Sequence, residues 1–222
     1  APIYPTFLHG IYLVNVGGNH DLLNKSVESL SQHMDTAAQI GAEGVIFHSG
    51  SHKGVGFEHI LDQSAKAFSD VLTNSPGDTS LIIENCAGMG HQIGSSFYEI
   101  GQLINAVGST RIKVCLDTQH CFAAGYNLSD KNALDSAVEE FDKQIGLHRL
   151  IAIHANDSKV PFNSGIDRHE NIGAGHMGME SFKIMMEHTA FQDIPFILEV
   201  PGEEGTGPDK VNIDRLKSIR DT

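Results

Sequence analysis

Long apolar runs are absent from the 222-residue sequence. This absence excludes a membrane-spanning helix, which needs about 20 consecutive apolar residues, and it also excludes the apolar core of a secretory signal. Cysteine is scarce. Cys86, Cys115 and Cys121 are an odd number in or beside apolar segments, which indicates buried reduced thiols rather than a disulfide framework. We therefore expect an intracellular protein, cytoplasmic or, in a eukaryote, nuclear, with no membrane partner.

Basic residues are also scarce, because 15 Lys and Arg stand against 28 Asp and Glu, which gives a formal net charge of -13. This balance argues against a protein that binds nucleic acid through a general basic surface, since such binding relies on Lys and Arg that neutralise phosphates. A protein of this composition that acts on nucleic acid needs another source of positive charge.

Apolar runs of strand character recur along the chain and alternate with helical periods. The runs cover residues 6–14, 44–50, 80–88, 112–120, 150–157 and 195–202. Each is almost continuously apolar before a polar end, as expected of a strand buried on both faces of a parallel sheet. Residues 58–73 and 134–145 show apolar side chains at helical spacing. The pattern predicts β-α-β-α order and one α/β domain over residues 1–222, although the length also permits two small domains.

A potential metal ligand or acid-base group stands at the C-terminal end of every predicted strand. These residues are His9, His48, Glu84, Asp117 with His120, His154 and Glu199. A lone histidine at a strand end is more often structural than functional, but six strands of six end in this way. In a β/α barrel all strand C-termini converge on one face, whereas a doubly wound sheet brings together only those near its switch point. The pattern favours a TIM-type β/α barrel.

The stretch "GIDRHENIG" (165–173) adds Asp167 and His169 to this set, two positions apart between glycines. The alternative for this pair is a turn capped by Asp167 beside a solvated His169. With them the set holds five imidazoles and four carboxylates. Four carboxylates buried together would repel one another and take up protons unless cations held them ionised. Mixed nitrogen and oxygen ligands suit Zn²⁺, with Mn²⁺ or Fe at some sites, better than Ca²⁺ or Mg²⁺. Nine ligands would serve three metals and leave open positions.

Seven motifs carry a resemblance to a known family, and they span nearly the whole chain in order. They are "HGIYLVNV", "FHSGSHKG", "IIENCAGMGHQIG", "CLDTQHCFAAGY", "IHANDSK", "GIDRHENIGAGHMG" and "ILEVPG". They resemble the successive motifs of endonuclease IV, the zinc-dependent AP endonuclease family of the TIM-barrel class. The resemblance implies a DNA-repair endonuclease of base excision repair that hydrolyses the phosphodiester 5' to abasic sites in double-stranded DNA.

The resemblance also assigns roles to residues. His9 and His48 would bind one Zn²⁺, and Glu84 would bridge it to a second. The remaining ligands of the second ion would be Asp117, His154 and Glu199, and those of the third would be His120, Asp167 and His169. Glu84, as the bridging carboxylate, would orient the attacking water. Tyr12 would pack against the DNA at the lesion, and Arg168 would contact a phosphate.

The family barrel has eight strands, and six are recognisable here. The resemblance implies that the first two βα units, which precede the position of His9, are lacking. An open six-stranded barrel exposes two edges that invite pairing with another chain. The chain is then either a fragment or a reduced barrel closed as a homodimer.

Two other functions stay open. A single-metal sugar isomerase or epimerase of the xylose-isomerase-like superfamily would need only Glu84, Asp117, His154 and Glu199, and it leaves the other ligands unexplained. A metal-binding but catalytically inactive barrel fragment is the second alternative.

Overall fold

The computed structural model describes residues 4–220, which divide into two compact units. Within that range the first unit takes in residues 4–85 and 90–115, and the second takes in residues 86–89 and 116–220. The single domain expected over 1–222 stays a prediction, and residues 1–3 and 221–222 of it lie outside the described part. No helix within residues 4–220 is long and apolar enough to cross a membrane.

The first unit consists of parallel strands and the helices that connect them. Its strands are β1 (Phe7–His9), β2 (Gly44–Phe47), β3 (Ser80–Glu84) and β4 (Ile112–Asp117). The last two residues of β4 belong to the second unit. Its helices are α1 (His20–Gln39), α2 (Phe57–Asn74) and α3 (Phe97–Val107). Leu8 lies beside Val45, and Val45 beside Leu81, in parallel register. Every residue of β2 and β3 is buried, which explains why their sequences are apolar apart from Ser80 and Glu84 at the ends of β3.

Local signals in the sequence set the helix ends of this unit. The Asn19 side chain accepts a hydrogen bond from the main-chain N–H of Leu22 at the start of α1, and Ser96 accepts one from Glu99 at the start of α3. The carboxylate of Glu99 in turn accepts the N–H of Gly94. Burial raises the pKa of this carboxyl group above its ordinary value. Helix α3 ends at Val107 and is followed by the capping residue Gly108, whose φ of 68° suits glycine.

The second unit holds the rest of the β/α alternation. Its elements are α4 (Thr118–Ala123), α5 (Lys131–Gln144), β5 (Leu150–His154), β6 (Asp157–Ser158), β7 (His169–Glu170), α6 (Gly178–Glu187), β8 (Phe196–Ile197) and α7 (Lys210–Arg220), with short 3-10 turns at Leu147–Arg149 and Thr189–Phe191. Strands β5 and β8 are parallel, with Ile153 beside Phe196. Strands β6 and β7 form a separate antiparallel pair.

The predicted order of strands and helices is confirmed, but all six strands end before the predicted runs do, and the difference is largest for the first and the last. The first, expected over residues 6–14, ends at His9, and the chain then turns so that Ile11, Tyr12 and Leu13 are exposed. The last, expected over residues 195–202, is only β8. Apolar side chains in an exposed turn look the same in sequence as apolar side chains in a strand.

Candidate functional site

The ends of the strands carry the candidate ligands, as predicted. His9, Glu84, Asp117 and His154 are the final residues of β1, β3, β4 and β5, and His48 directly follows β2. Glu199 comes two residues after β8. Strands β2, β3, β4 and β5 are largely buried, and the hydrogen bonds of β3, β4 and β5 fix the main chain of Glu84, Asp117 and His154.

In the first unit, Glu84 lies between two imidazoles. Its Oε2 atom is 3.1 Å from Nε2 of His9 and 3.6 Å from Nε2 of His48, and the Glu84 side chain is fully buried. The two imidazole rings are 5.6 Å apart, centroid to centroid. A buried carboxylate is unfavourable unless cationic or hydrogen-bonding groups face it, and neutral imidazoles and a carboxylate are the ligands that Zn²⁺ prefers.

Tyr12 stands at the exposed side of this group. Its ring meets that of His48 edge to face, with the centroids 5.4 Å apart and an interplanar angle of 67°, while 67% of the residue remains accessible to solvent. The side chain is therefore held against a candidate ligand and also offers a large aromatic surface to a partner. Large exposed aromatic side chains are enriched at binding sites.

In the second unit, four candidate ligands form one cluster. Nε2 of His120 lies 3.3 Å from Oδ2 of Asp167, and Nε2 of His169 lies 3.4 Å from Oδ1 of Asp167 and 3.7 Å from Oδ2 of Asp117. One donor atom each from Asp117, His120 and His169 falls within 4.8 Å of the others, close enough to hold one metal ion. A second pair in this unit is His154 and Glu199, whose Nδ1 and Oε2 are 3.0 Å apart.

The environment of His169 tests whether a metal fits there. Its Nε2 atom is buried, and no group among residues 4–220 makes a hydrogen bond to it. A buried imidazole nitrogen without such a bond is unfavourable in a folded protein, but it is well placed to donate its lone pair to a cation beside the two carboxylates. The donor set and this atom both fit a bound metal.

The stretch that carries His169 is not the plain loop that the sequence predicted. His169 lies on β7, opposite Ser158 of β6. The fully buried Asp157 supports this pair, because its carboxylate accepts main-chain N–H bonds from Ser158 and from three residues at the start of α6 or just before it, Gly175, Met177 and Gly178. Sequence reasoning missed this support. Its only signal was the polar run "NDS" placed directly after a buried strand.

Arg168, between the two ligands of that stretch, points outward. It is exposed, and its Nη1 atom donates to the main-chain oxygen of its neighbour Asp167 at 2.7 Å. The remaining guanidinium donors stay accessible to solvent. This arrangement fits contact with an anion, which the resemblance implied, and it leaves the side chain out of the ligand cluster.

Comparison with known proteins gives this geometry a family. The model of the family "Xylose isomerase-like TIM barrel" matches residues 4–221. A probable endonuclease 4 of Haloarcula marismortui is 36% identical over 217 residues, which are 97% of this chain and 77% of that protein. The crystal structure of endonuclease IV from Thermus thermophilus superposes with a TM-score of 0.84 at 30% identity, covering 98% of this chain and 76% of that one.

A more distant likeness concerns the fold alone. The structure of a D-tagatose 3-epimerase-like protein covers 97% of this chain and 75% of its own, with a TM-score of 0.73 and 16% identity. These matches confirm the predicted fold class, the α/β TIM-type barrel. The six strands predicted from sequence correspond to β1, β2, β3, β4, β5 and β8.

Proposed function

The chain belongs to the endonuclease IV family of xylose isomerase-like TIM barrels, and from this premise we propose that it is a DNA-repair endonuclease. It hydrolyses the phosphodiester 5' to abasic sites in double-stranded DNA, with three Zn²⁺ ions held by nine side chains. The ligands are His9, His48, Glu84, Asp117, His120, His154, Asp167, His169 and Glu199. Mn²⁺ or Fe are the alternatives at individual positions.

The observation that carries the proposal is the cluster of Asp117, His120, Asp167 and His169 in the second unit. A single-metal sugar isomerase or epimerase needs none of the last three residues. Asp167 lies 3.3 Å from His120 and 3.4 Å from His169, and these distances and the buried Nε2 of His169 support a further metal that such an enzyme would not use. This cluster favours phosphodiester hydrolysis over sugar isomerisation.

Bound Zn²⁺ supplies Lewis acidity, which polarises phosphate oxygens and makes water a nucleophile near neutral pH. The side chains of this chain place that chemistry. Glu84 is fully buried and cannot swing towards solvent, so its carboxylate keeps a fixed direction between His9 and His48 and orients the attacking water. Asp167 holds His120 and His169 on either side of one carboxylate, which fixes where the phosphate is neutralised.

The acidic composition sets how DNA is recognised. With a net charge of -13, attraction to undamaged DNA is weak, and the positive charge at the scissile phosphate comes from the metal ions. The exposed Tyr12 packs against the DNA at the lesion, and Arg168 contacts a phosphate. An abasic sugar has no base to unpair, so its extrusion from the helix requires less free energy than that of a paired nucleotide.

A homodimer is part of the proposal. Within residues 4–220, β1 is paired along one side with β2, and β8 with β5. A strand paired on one side offers main-chain groups to a strand of another chain. Light scattering after size-exclusion chromatography measures the assembly directly, and a mass near 24.0 kDa, that of one chain, would exclude the dimer.

Incision of a duplex with a single abasic-site analogue tests the proposed function. We expect zinc-loaded protein to nick the lesion strand on its 5' side, and we expect neither EDTA-treated protein nor an undamaged duplex to give product. Protein that holds zinc but fails to nick the lesion would contradict the proposal. Turnover of a ketose under the same conditions would favour the epimerase, and no turnover of either substrate would favour an inactive metal-binding fragment.

A further inference from the structure

Asn156 lies between two candidate ligands of the second unit and contacts both. Its Nδ2 atom donates to Oδ2 of Asp117 at 2.6 Å, and its Oδ1 atom accepts the main-chain N–H of Glu199 at 3.0 Å. The side chain is fully buried two residues after the end of β5. It is therefore a bridge from the carboxylate at the end of β4 to the chain that follows β8.

The chemistry of the two partners fixes the orientation of this amide. An ionised carboxylate only accepts hydrogen bonds and a main-chain N–H only donates, so the nitrogen must face Asp117 and the oxygen must face Glu199. The main chain of Asn156 is held as well. Its N–H donates to Oγ1 of Thr118 at 2.9 Å, and the same hydroxyl donates back to its carbonyl oxygen at 2.7 Å. These bonds fix the main chain from which the side chain projects.

The second oxygen of Asp117 is also fixed, because Oδ1 accepts the main-chain N–H of His120 at 2.8 Å. Each oxygen of this carboxylate thus accepts from a protein donor, and a carboxylate oxygen has a second lone pair with which to bind a metal. Without the amide of Asn156, Oδ2 loses the donor that directs it, and rotation of the carboxylate about its Cβ–Cγ bond is less restrained. The direction of Oδ2 towards His169, 3.7 Å away, would then be lost.

We propose that Asn156 is a positioning residue for metal binding, which orients the Asp117 carboxylate and places the main chain of Glu199. The inference rests on the proposed function. Outer groups that hold ligands typically contribute about 10-fold to 100-fold to metal affinity. The amide acts through the ligands rather than on the substrate.

Two substitutions test the two side-chain hydrogen bonds of Asn156. Asn156→Asp keeps an acceptor for Glu199 but sets a carboxylate oxygen against Oδ2 of Asp117, where the two groups repel or share a proton. Asn156→Leu fills a similar volume and removes both bonds. We expect each variant to bind Zn²⁺ about 10-fold to 100-fold more weakly in competition with a chromophoric chelator. At saturating zinc we expect kcat for incision to fall with little change in KM.

Asn212→Leu is the matched control. Asn212 is as deeply buried in the same unit, and its side chain bonds Ile172, Asn171 and Asp209, none of which is a proposed ligand. It should destabilise the fold while leaving zinc affinity and the visible spectrum of Co²⁺-substituted protein unchanged. The Asn156 variants should change that spectrum, which loss of general stability alone would not do.

Several outcomes decide between the inference and the function on which it rests. Wild-type zinc affinity and an unchanged cobalt spectrum in both folded Asn156 variants would overturn the positioning role, even if the wild type nicks abasic DNA. If both variants bind zinc more weakly and the wild type nicks nothing, the result supports the positioning role and contradicts the endonuclease. Circular dichroism identifies a variant that fails to fold. If Asn156→Leu fails in this way, Asn156→Asp, which keeps a polar group in the same volume, supplies the comparison.

Discussion

Asp167 lies against His120, with Oδ2 of the carboxylate 3.3 Å from Nε2 of the imidazole, and its other oxygen faces His169 at 3.4 Å. One carboxylate thus contacts two imidazoles that lie on different elements, α4 and β7. We expect Asp167→Asn, which keeps the shape and removes the charge, to lower bound zinc from three ions to two per chain. Incision should fall more than about 100-fold, since losing a ligand exceeds the loss of an outer group. Elemental analysis and the abasic-site assay measure the two effects.

A histidine outside the cluster provides the control for this prediction. His176 is exposed in the loop before α6, and His176→Ala should keep three zinc ions and normal incision. If Asp167→Asn also keeps three zinc ions, Asp167 is not a ligand.

The burial of Glu84 leads to a prediction about thermal stability. The Glu84→Gln substitution should affect the zinc-free and the zinc-loaded protein in opposite ways. Glu84→Gln removes a carboxylate that the zinc-free protein must keep ionised or protonate inside its interior, and burying such a charge is unfavourable. We expect the Tm of the zinc-free variant to be no lower than that of the wild type, while the rise in Tm on adding zinc becomes smaller. Differential scanning fluorimetry with and without zinc measures both.

Glu99→Gln is the matched change for comparison. Glu99 is part-buried in the same unit and accepts the N–H of Gly94, but it is not a proposed ligand. Its variant should keep the full rise in Tm on zinc addition. A full rise in Glu84→Gln as well would show that Glu84 does not bind metal.

The sequence was sufficient to predict where most candidate ligands lie. A parallel strand buried on both faces is continuously apolar, so the first polar residue after each run marks the strand end. Glu84, Asp117 and His154 were found in this way, and each is the last residue of its strand, whereas the apolar run around His9 continues to residue 14. This rule requires no knowledge of tertiary contacts, which explains why it succeeded.

The surroundings of His169 could not be predicted in the same way. Strands β6 and β7 have two residues each, too short to show any period. The carboxylate of Asp157 in β6 accepts four main-chain N–H groups, three of them from residues about 20 positions further along the chain. Contacts of that separation leave no local pattern. For the same reason Asn156 gave no signal of its link to Asp117.

The exposed ring of Tyr12 leads to a prediction about binding. Tyr12→Ala should raise KM for abasic DNA by about 10-fold, in the range of one aromatic stacking contact, with a smaller effect on kcat. Tyr12→Phe keeps the ring and should behave like the wild type. Tyr98→Ala removes another exposed tyrosine of the first unit, one that donates to Glu58, and should not change KM. Equal effects of the two alanine variants would exclude a specific role for Tyr12.

The expected single domain leads to a prediction about unfolding. Strand β4 is continuous, yet Cys115 belongs to the first unit and Leu116 to the second, and residues 86–89 of the second unit interrupt the first. Because one strand contributes to both units, we expect them to unfold together in one urea transition. Near-ultraviolet and far-ultraviolet circular dichroism should then give the same midpoint. Two separated midpoints would show two independently stable domains.

Asp209 makes the stability of the second unit depend on pH in the acidic range. Main-chain N–H bonds from Asn212 and Glu203, with the side-chain amide of Asn212, lower the pKa of the Asp209 carboxyl group from 3.8 to about 2. A carboxylate with a lowered pKa stabilises the fold above its unfolded value of 3.8, and this contribution is lost as the pH falls towards about 2. The urea midpoint of zinc-free wild type should therefore exceed that of Asp209→Asn at about pH 6, and the difference should shrink between about pH 4 and pH 2. A difference that stays constant across that range would mean that the carboxyl group titrates alike in the folded and unfolded chains.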